Sequence, residues 1–447
     1  MNRRIFAAAV TVGSLNLVAK LVTTGKELVV AGRFGTGDAL DAFFIAWLLP
    51  SVAINVIGGA FGPAFLPTYI DVRERRGQAA ADRLLAASAA LIVAVLIATA
   101  ALLGLAAPWL LPLVGSSFSP AKLALTRSLL YALLPALAVG GLTSAWTALL
   151  NARERFAAAA VVPAITPLLT AVALVAAGRH PSVHLLAFAT VGGAVLETLC
   201  LARGVLRLGH HVAPRWPSAL DPDLRHVVRQ YAPALASGIF ACGASLVDQA
   251  MAAMLGSGSV SVLNYGTRLP SAFYGIATVA LATSAFTHYA QMVARGDWKG
   301  LRSTLRRYQA LVFAASLPVA LALCLLSRPI VVLLFQRGSF TVHDAEVVGR
   351  VQALGVLQIP FTAAGMLAVR LISALRGNRV LMWGAAGNLF VDVTMNWVLM
   401  RRYGVAGIAL STTIVYALSF VYLTLAAQYL LRRHTAEDRA PATAASP

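Results

Sequence analysis

The chain has 447 residues, of which 59% are hydrophobic and only 12% charged, and its mean hydropathy is +0.77. That composition excludes an ordinary water-soluble globule and puts the chain in a bilayer. Its 36 lysines and arginines against 17 aspartates and glutamates give a formal net charge of +19; on a polytopic membrane protein such an excess marks cytoplasmic loops and anionic lipid, not a nucleic-acid partner.

A hydrocarbon core about 30 Å thick takes about 20 apolar residues per helix, with every backbone N–H and C=O satisfied inside the segment. Twelve stretches meet that requirement. The first six lie at about 5–31, 42–69, 84–113, 126–150, 157–177 and 184–206. The second six lie at about 228–255, 260–290, 308–335, 347–374, 380–400 and 405–431. The expected fold class is therefore all-α, a polytopic membrane protein of about 12 transmembrane helices. Met1-Asn2-Arg3-Arg4 imitates a signal peptide, but the apolar run continues past Lys20 and Lys26 with no cleavage site and reads as a retained first helix. The longest cytoplasmic loop, around 207–227, carries Pro214, Pro217 and Pro222. It divides the chain into an N-terminal six-helix lobe (1–216) and a C-terminal one (217–433), followed by an Ala/Pro/Ser-rich tail, 434–447, expected to be disordered.

Punctuation recurs about 220 to 224 residues along the chain. Leu49-Pro50-Ser51 returns as Leu269-Pro270-Ser271, Tyr69 as Tyr289, Ser117-Phe118 as Ser339-Phe340 and Arg155 as Arg379. Six spans are an even number, so the lobes enter from the same face as parallel repeats, an arrangement that favours a central cavity. Sorted by alternate loops, 23 basic residues fall on the side of the N-terminus and 9 on the other. Positive charge gathers on the cytoplasmic side, so both termini are expected to be cytoplasmic in the inner membrane.

The remaining 4 basic residues, Lys20, Lys26, Arg268 and Arg370, fall inside spans. A charge at the centre of a membrane helix costs about 2.5–3.5 kcal/mol on insertion scales and normally faces a partner or a wet cavity. In the first span Asn16, Lys20, Thr23/Thr24 and Glu27 form a polar stripe at helical spacing, with Lys26 beside it; the plainer alternative is that Lys20 and Glu27 satisfy each other or snorkel. The eighth span carries Asn264, Thr267, Arg268 and Ser271 on one face, and Asn55 with Gly58 and Gly59 are the matching features of the second. Cations converging from different helices make a chamber suited to an anion, and arginine holds phosphate oxygens bidentately. The membrane ligand with that chemistry is an amphiphile with a phosphorylated head.

Among the acids, Asp248, with Ser245 and Gln249, either binds a driving cation or proton or counters Arg268 or Lys20. Asp392 with Asn388 and Asn396 reads as helix–helix glue, and Glu197 as a partner for Arg203. Catalytic signatures are missing: there is no phosphate-binding GxxxxGK[ST] loop and no HExxH, and the vicinal His210 and His211 sit in the cytoplasmic loop. Cys200, Cys242 and Cys324 lie far apart in apolar runs as packing residues, so no cofactor, metal site or disulfide framework is expected. Gly58-x-x-x-Gly62 is a weak packing motif.

Several segments together resemble a known family. These are Gly32-Arg33-Phe34-Gly35-Thr36-Gly37, Asp41-Ala42-Phe43-Phe44-Ile45-Ala46, Leu49-Pro50, Gly59-Ala60-Phe61 and Ala64-Phe65-Leu66-Pro67. Further along come Gly256-Ser257-Gly258-Ser259-Val260-Ser261, Tyr265, Arg268-Leu269, and Leu334-Phe335-Gln336-Arg337-Gly338-Ser339-Phe340-Thr341 with Asp344-Ala345. In order and spacing, from about 14 to 431, they are similar to the MurJ (MviN) lipid II flippases of the multidrug/oligosaccharidyl-lipid/polysaccharide exporter (MOP) superfamily. The resemblance implies two six-helix lobes around a cationic cavity. It also implies inside-to-outside movement of a polyprenyl-pyrophosphate-linked saccharide by alternating access, and no enzymatic activity. The family's two first-helix arginines correspond to Lys20 and Lys26, the following acid to Glu27 and the eighth-helix arginine to Arg268. Its paired second-helix arginines fall at Ile54 and Asn55, a nearby glutamate at Gly59, and the acid before the eighth-helix arginine at Thr267. The family's two extra C-terminal helices would follow the twelfth span, where this sequence stops.

The substrate-binding set expected is thus Lys20, Lys26, Arg268, Asn55, Asn264 and Thr267, with Glu27 and Asp248 balancing charge or coupling. The expected partners are the lipid-linked saccharide, the membrane, and cell-wall or polysaccharide assembly proteins. Rival readings are a flippase for an exopolysaccharide or capsule precursor, a drug exporter, a polyprenyl-sugar ligase, and a non-transporting scaffold of cell-wall assembly. A drug exporter for cations favours acids in its cavity, and a ligase needs a long external loop; the longest external loops here are around 113–126 and 336–346.

Overall fold

The structure, a computed structural model, describes residues 2–153, 155–178, 180–209, 222–375 and 377–437. His210, His211, Pro214 and Pro217 of the expected cytoplasmic loop, and the tail from 438 on, lie outside the described residues.

Among the described residues all regular structure is helical, and each of the twelve expected spans falls on one long helix or on two joined at a proline or glycine. In chain order the first six spans are α1 (Asn2–Phe34), α2 (Asp38–Ala53) with α3 (Gly59–Arg76), α4 (Gln78–Val114), α5 (Pro120–Leu133) with α6 (Pro135–Ala152), α7 (Phe156–Val161) with α8 (Ile165–Ala176), and α9 (Val183–Arg207). The next six are α10 (Pro222–Ala253), α11 (Ser259–Gly266) with α12 (Arg268–Ala294), α13 (Trp298–Phe335), α14 (Val342–Val356) with α15 (Ile359–Ala374), α16 (Asn378–Tyr403) and α17 (Val405–Glu437). Proline explains the breaks. It has no N–H to give the carbonyl four residues back, and its ring crowds that carbonyl. So, at every joint but that of α2 with α3, α5 yields to α6 at Pro135, α7 to α8 around Pro163, α14 to α15 before Pro360, and α11 to α12 ahead of Pro270.

Among the described residues eight helical stretches are long and apolar enough to cross a bilayer. The other four spans, α1, α10, α11–α12 and α16, are those that carry Lys20, Asp248, Arg268 and Asp392. On α4, Leu102, Leu105, Trp109 and Leu113 share one face and are 65% to 76% exposed. A stripe like that in water would forfeit the hydrophobic gain of burial, so it is a lipid-facing surface.

Packing divides the chain into two compact units, 1–261 with 337–341, and 262–336 with 342–447. In the first, Phe61 and Phe65 stack at 5.0 Å within a core that includes Tyr69, Leu85, Leu96, Trp146 and Leu149 and reaches Leu224 and Val227 of α10. The lobe division expected at 216–217 places α10 in the second half, whereas packing groups it with the first unit. Arg76 of α3 pairs with Asp223 at 2.7 Å, and the Tyr231 hydroxyl donates to the Ile57 carbonyl. The second unit is centred on Leu301, Leu305, Leu367, Leu371, Ala427 and Leu431.

Ile54–Gly58 is a single π-helical turn between α2 and α3. Its wider ring leaves the Ile57 carbonyl for Tyr231 and seats Gly58 against Ser144, where a side chain would collide. Gly62 has no neighbour that a methyl group would meet, so only half of the Gly58/Gly62 motif packs. Beyond α1, the Ser339 N–H donates to the Gly32 carbonyl at 2.8 Å. Gly35 and Gly338 adopt φ of +63° and +60° there, and a Cβ on either would overlap a carbonyl oxygen of the other strand of chain, Ser339 or Gly32. Gly35→Ala should therefore lower stability by at least the left-handed backbone cost of about 1–2 kcal/mol, read as a fall in Tm in detergent. An unchanged Tm would show that the 337–341 segment does not sit on α1.

Candidate substrate site

The residues singled out on α1 line up along its axis. Lys20 is exposed, and Thr23 and Thr24 turn their hydroxyls back onto the carbonyls of Ala19 and Lys20. Glu27 is buried, 4% exposed, and its carboxylate takes the Lys26 ammonium at 2.7 Å. Glu27 thus pairs with its sequence neighbour and not, as the plainer sequence alternative had it, with Lys20. Neighbouring residues diverge on a helix, so the lysine must fold back along the axis, which its flexible four-carbon stem permits.

Asn55 on the π turn and Gly59 at the start of α3 are exposed, while Ile54 lies in contact range of Gly140. The turn therefore presents the amide of Asn55. Asp248 is half-buried on α10, in the same unit as Lys20, Lys26, Glu27 and Asn55.

Asn264, Thr267 and Arg268 belong to the second unit, at the joint of α11 and α12. Thr267 caps the break by donating its hydroxyl to the Leu263 carbonyl at 2.8 Å. Arg268 opens α12 and is exposed; Asn264 and Thr267 are half-buried on the same turn. Close approach of the backbone at Gly266, where a Cβ would strike Val351, holds the joint against α14.

Two other polar groups are structural. Glu197 accepts the Thr166 hydroxyl at 2.7 Å, so its neighbour is on α8 and not the expected Arg203. Asp392 and Asn396 are 2% and 0% exposed, and Asn388 donates to Ser419 at 3.0 Å, joining α16 to α17 as glue. Cys200 is exposed and so is no packing residue, while Cys242 and Cys324 are half-buried.

The strongest polar constellation was not assembled by sequence reasoning. Asp41, fully buried, accepts the Lys122 ammonium at 3.0 Å. It also accepts the Gly258 N–H at 2.7 Å, the Ser261 N–H at 2.8 Å and the Ser261 hydroxyl at 2.8 Å. Lys122 reaches Asp38 as well, at 2.6 Å, and lies 4.0 Å over the Phe118 ring. The carboxylate caps the open N–H groups at the start of α11 from another helix, where the helix dipole favours a negative charge. Asp41 and Gly256–Ser261 were legible only as motif residues; the pair of acids one turn apart at the start of α2 was the available signal.

Long helices in this order, broken at prolines, with lipid-facing stripes and a few cations within spans, define a polytopic α-helical membrane protein of transporter architecture. A lipid II flippase MurJ solved in an inward closed conformation has the same fold, at TM-score 0.80 and 19% identity over 95% of this chain and 90% of that one. An inward-facing MATE family multidrug resistance transporter of the MOP superfamily aligns at TM-score 0.75 and 13% identity, over 96% and 99%. In sequence, the lipid II flippase MurJ of Burkholderia cenocepacia is 27% identical over an alignment of 458 positions, gaps included, that covers 94% of this chain and 83% of the relative. The probable lipid II flippase MurJ of Buchnera aphidicola subsp. Acyrthosiphon pisum is 24% identical over 442 residues, 93% and 82% of the two chains. The profile of the family described as lipid II flippase MurJ matches residues 30–439. The chain belongs to the MurJ family.

Removing the charge of Asp41 strands Lys122, 7% exposed, with Asp38 alone. Breaking a buried pair from one side costs about 3–5 kcal/mol at most, so Asp41→Asn should lower Tm sharply and Ser261→Ala by the about 1 kcal/mol of one hydrogen bond. Adding Lys122→Met to Asp41→Asn should restore part of the loss. Equal Tm values for wild type and Asp41→Asn would contradict the clasp.

Proposed function

We propose that this chain moves lipid II, a polyprenyl-pyrophosphate-linked saccharide, from the inner to the outer leaflet of the cytoplasmic membrane. The observation that carries the reading is the family match over 30–439. Beside it stand three cations within expected spans, Lys20, Lys26 and Arg268, of which Arg268 lies inside the matched stretch.

The physical logic is a division of the cargo. A pyrophosphate-linked sugar cannot cross hydrocarbon by itself, because each charge would lose its hydration. Held in a polar chamber by Lys20, Lys26 and Arg268, with Asn55, Asn264 and Thr267 donating neutral hydrogen bonds, it crosses while its lipid tail stays in the bilayer. Two six-helix lobes, 1–216 and 217–433, rock to change the open face. Glu27 neutralises Lys26 when the chamber is empty and releases it to the pyrophosphate; Asp248 balances the remaining charge. The excess of basic loops on one side supports cytoplasmic termini, and assembly proteins of the cell wall would receive the product.

Hydrogen bonds to charged groups contribute about 1.5–3 kcal/mol each. Arg268→Ala should therefore abolish lipid II flipping in proteoliposomes while the protein still elutes as a folded species, and Arg268→Lys should keep part of the flux. Undiminished flux in the alanine variant would contradict the cationic chamber.

A further inference from the structure

Each unit contains a crevice between a long apolar helix and the helix that follows it. In the first unit Pro108, Leu111 and Pro112 of α4 and Pro120 and Arg127 of α5 line a cavity of about 260 Å³. In the second, Cys324, Leu325 and Arg328 of α13 and Glu346, Gly349 and Arg350 of α14 line one of about 280 Å³. Arg127 and Arg350 stand 223 positions apart, inside the repeat offset read from the sequence. The two cavities are thus the same feature of a duplicated fold, each with an arginine in the same place.

Depth fixes what such a cavity meets. Arg127 lies seven residues into α5 and Arg350 eight into α14, about 10–12 Å from the helix start at 1.5 Å per residue. Both arginines stand within four residues of the starts of the expected spans at about 126 and 347, the end of a span where headgroups give way to hydrocarbon. The flanking surface is apolar and outward-facing: Trp109 and Leu113 beside the first crevice are 76% and 74% exposed, and Leu325 at the second is 82% exposed. Both arginines are exposed, and neither makes an ion pair among the described residues, whereas Arg328 pairs with Glu346 at 2.8 Å. A Cβ on Gly349 would lie 3.2 Å from the Arg328 Cα; glycine there lets α14 close on α13 and brings Arg328 and Arg350 to one cavity wall.

We propose that each crevice binds the phosphate of a membrane lipid, through Arg127 in the first unit and through Arg350 with Arg328 in the second. The planar guanidinium fork matches two phosphate oxygens, and the acyl chains lie along the exposed leucines. Glu346 competes with the phosphate for Arg328, so the second site binds less tightly than an unopposed arginine pair. The proposal is independent of what the protein transports.

The test is native mass spectrometry of the full chain in detergent, titrated with phosphatidylglycerol, with diacylglycerol of the same chains, and with undecaprenyl phosphate. Two saturable phosphatidylglycerol adducts are expected for the wild type, one for Arg127→Gln or Arg350→Gln, and none for the double variant. Glu346→Gln should tighten one adduct several-fold. Arg401→Gln removes an equal charge, from an arginine 4.0 Å over Trp397 and outside both cavities, and should keep both adducts. Comparable binding of phosphatidylglycerol and undecaprenyl phosphate assigns the sites to bulk phospholipid; clearly tighter undecaprenyl phosphate assigns them to the polyprenyl carrier. Diacylglycerol adducts in equal number, adducts that survive the double variant, equal loss in Arg401→Gln, or displacement of both lipids by millimolar inorganic phosphate would overturn the proposal.

Discussion

Taking a charge from water into hydrocarbon or a packed interior costs several kcal/mol even after relaxation, and the way each charged group here meets that cost separates the residues by role. Asp41 meets it completely, with four donors on one carboxylate and its ammonium partner held over an aromatic ring. A carboxylate so satisfied has nothing left to offer a ligand; it fixes backbone. Lys20 and Arg268 are exposed on helices expected to span the membrane. Lys26 stands between, neutralised by one buried carboxylate.

Helix breaks serve the same separation. The π turn at Ile54–Gly58 and the joint at Thr267 fall in the two spans that the repeat makes equivalent, each next to a Leu-Pro-Ser tripeptide. Freed carbonyls at such breaks need partners. The Tyr231 hydroxyl serves Ile57, and the polar side chains Asn55, Asn264, Thr267 and Arg268 cluster at the irregular turns. Asp41 secures the N–H groups of Gly258 and Ser261, and within the second unit Gly266 packs closely on Val351.

Much of this was legible in the sequence, for reasons specific to membranes. Apolar runs bounded by arginines gave the spans because an unpaired backbone is excluded from hydrocarbon; the breaks were not legible, since Pro163 and Pro270 sit at joints whereas Pro50 and Pro318 lie inside unbroken helices. Lys26 and Glu27 were recognisable as out of place in an apolar helix, but their mutual pairing was not, since adjacent residues normally diverge. Asp41 was seen as a motif residue, and Lys122 only as one of the 9 basic residues on the side opposite the N-terminus. Their union spans 81 positions of chain, and no local period encodes it. Separation along the chain likewise hid Glu197 from Thr166, 31 positions away, and Tyr231 from Ile57, 174 away. The π turn was equally hidden, because it depends on Gly58 fitting Ser144, a match of shapes and not of hydropathy.

The account rests on membrane-buried cations holding phosphate. The most direct measurement is the affinity of the purified protein for lipid II, compared with the same lipid lacking its pyrophosphate, in wild type and in a Lys20→Gln, Lys26→Gln, Arg268→Gln variant. At about 1.5–3 kcal/mol per charged hydrogen bond the wild type should prefer the pyrophosphate form by well over tenfold, and the variant should lose that preference. A triple variant that still distinguishes the two lipids as the wild type does would contradict the account.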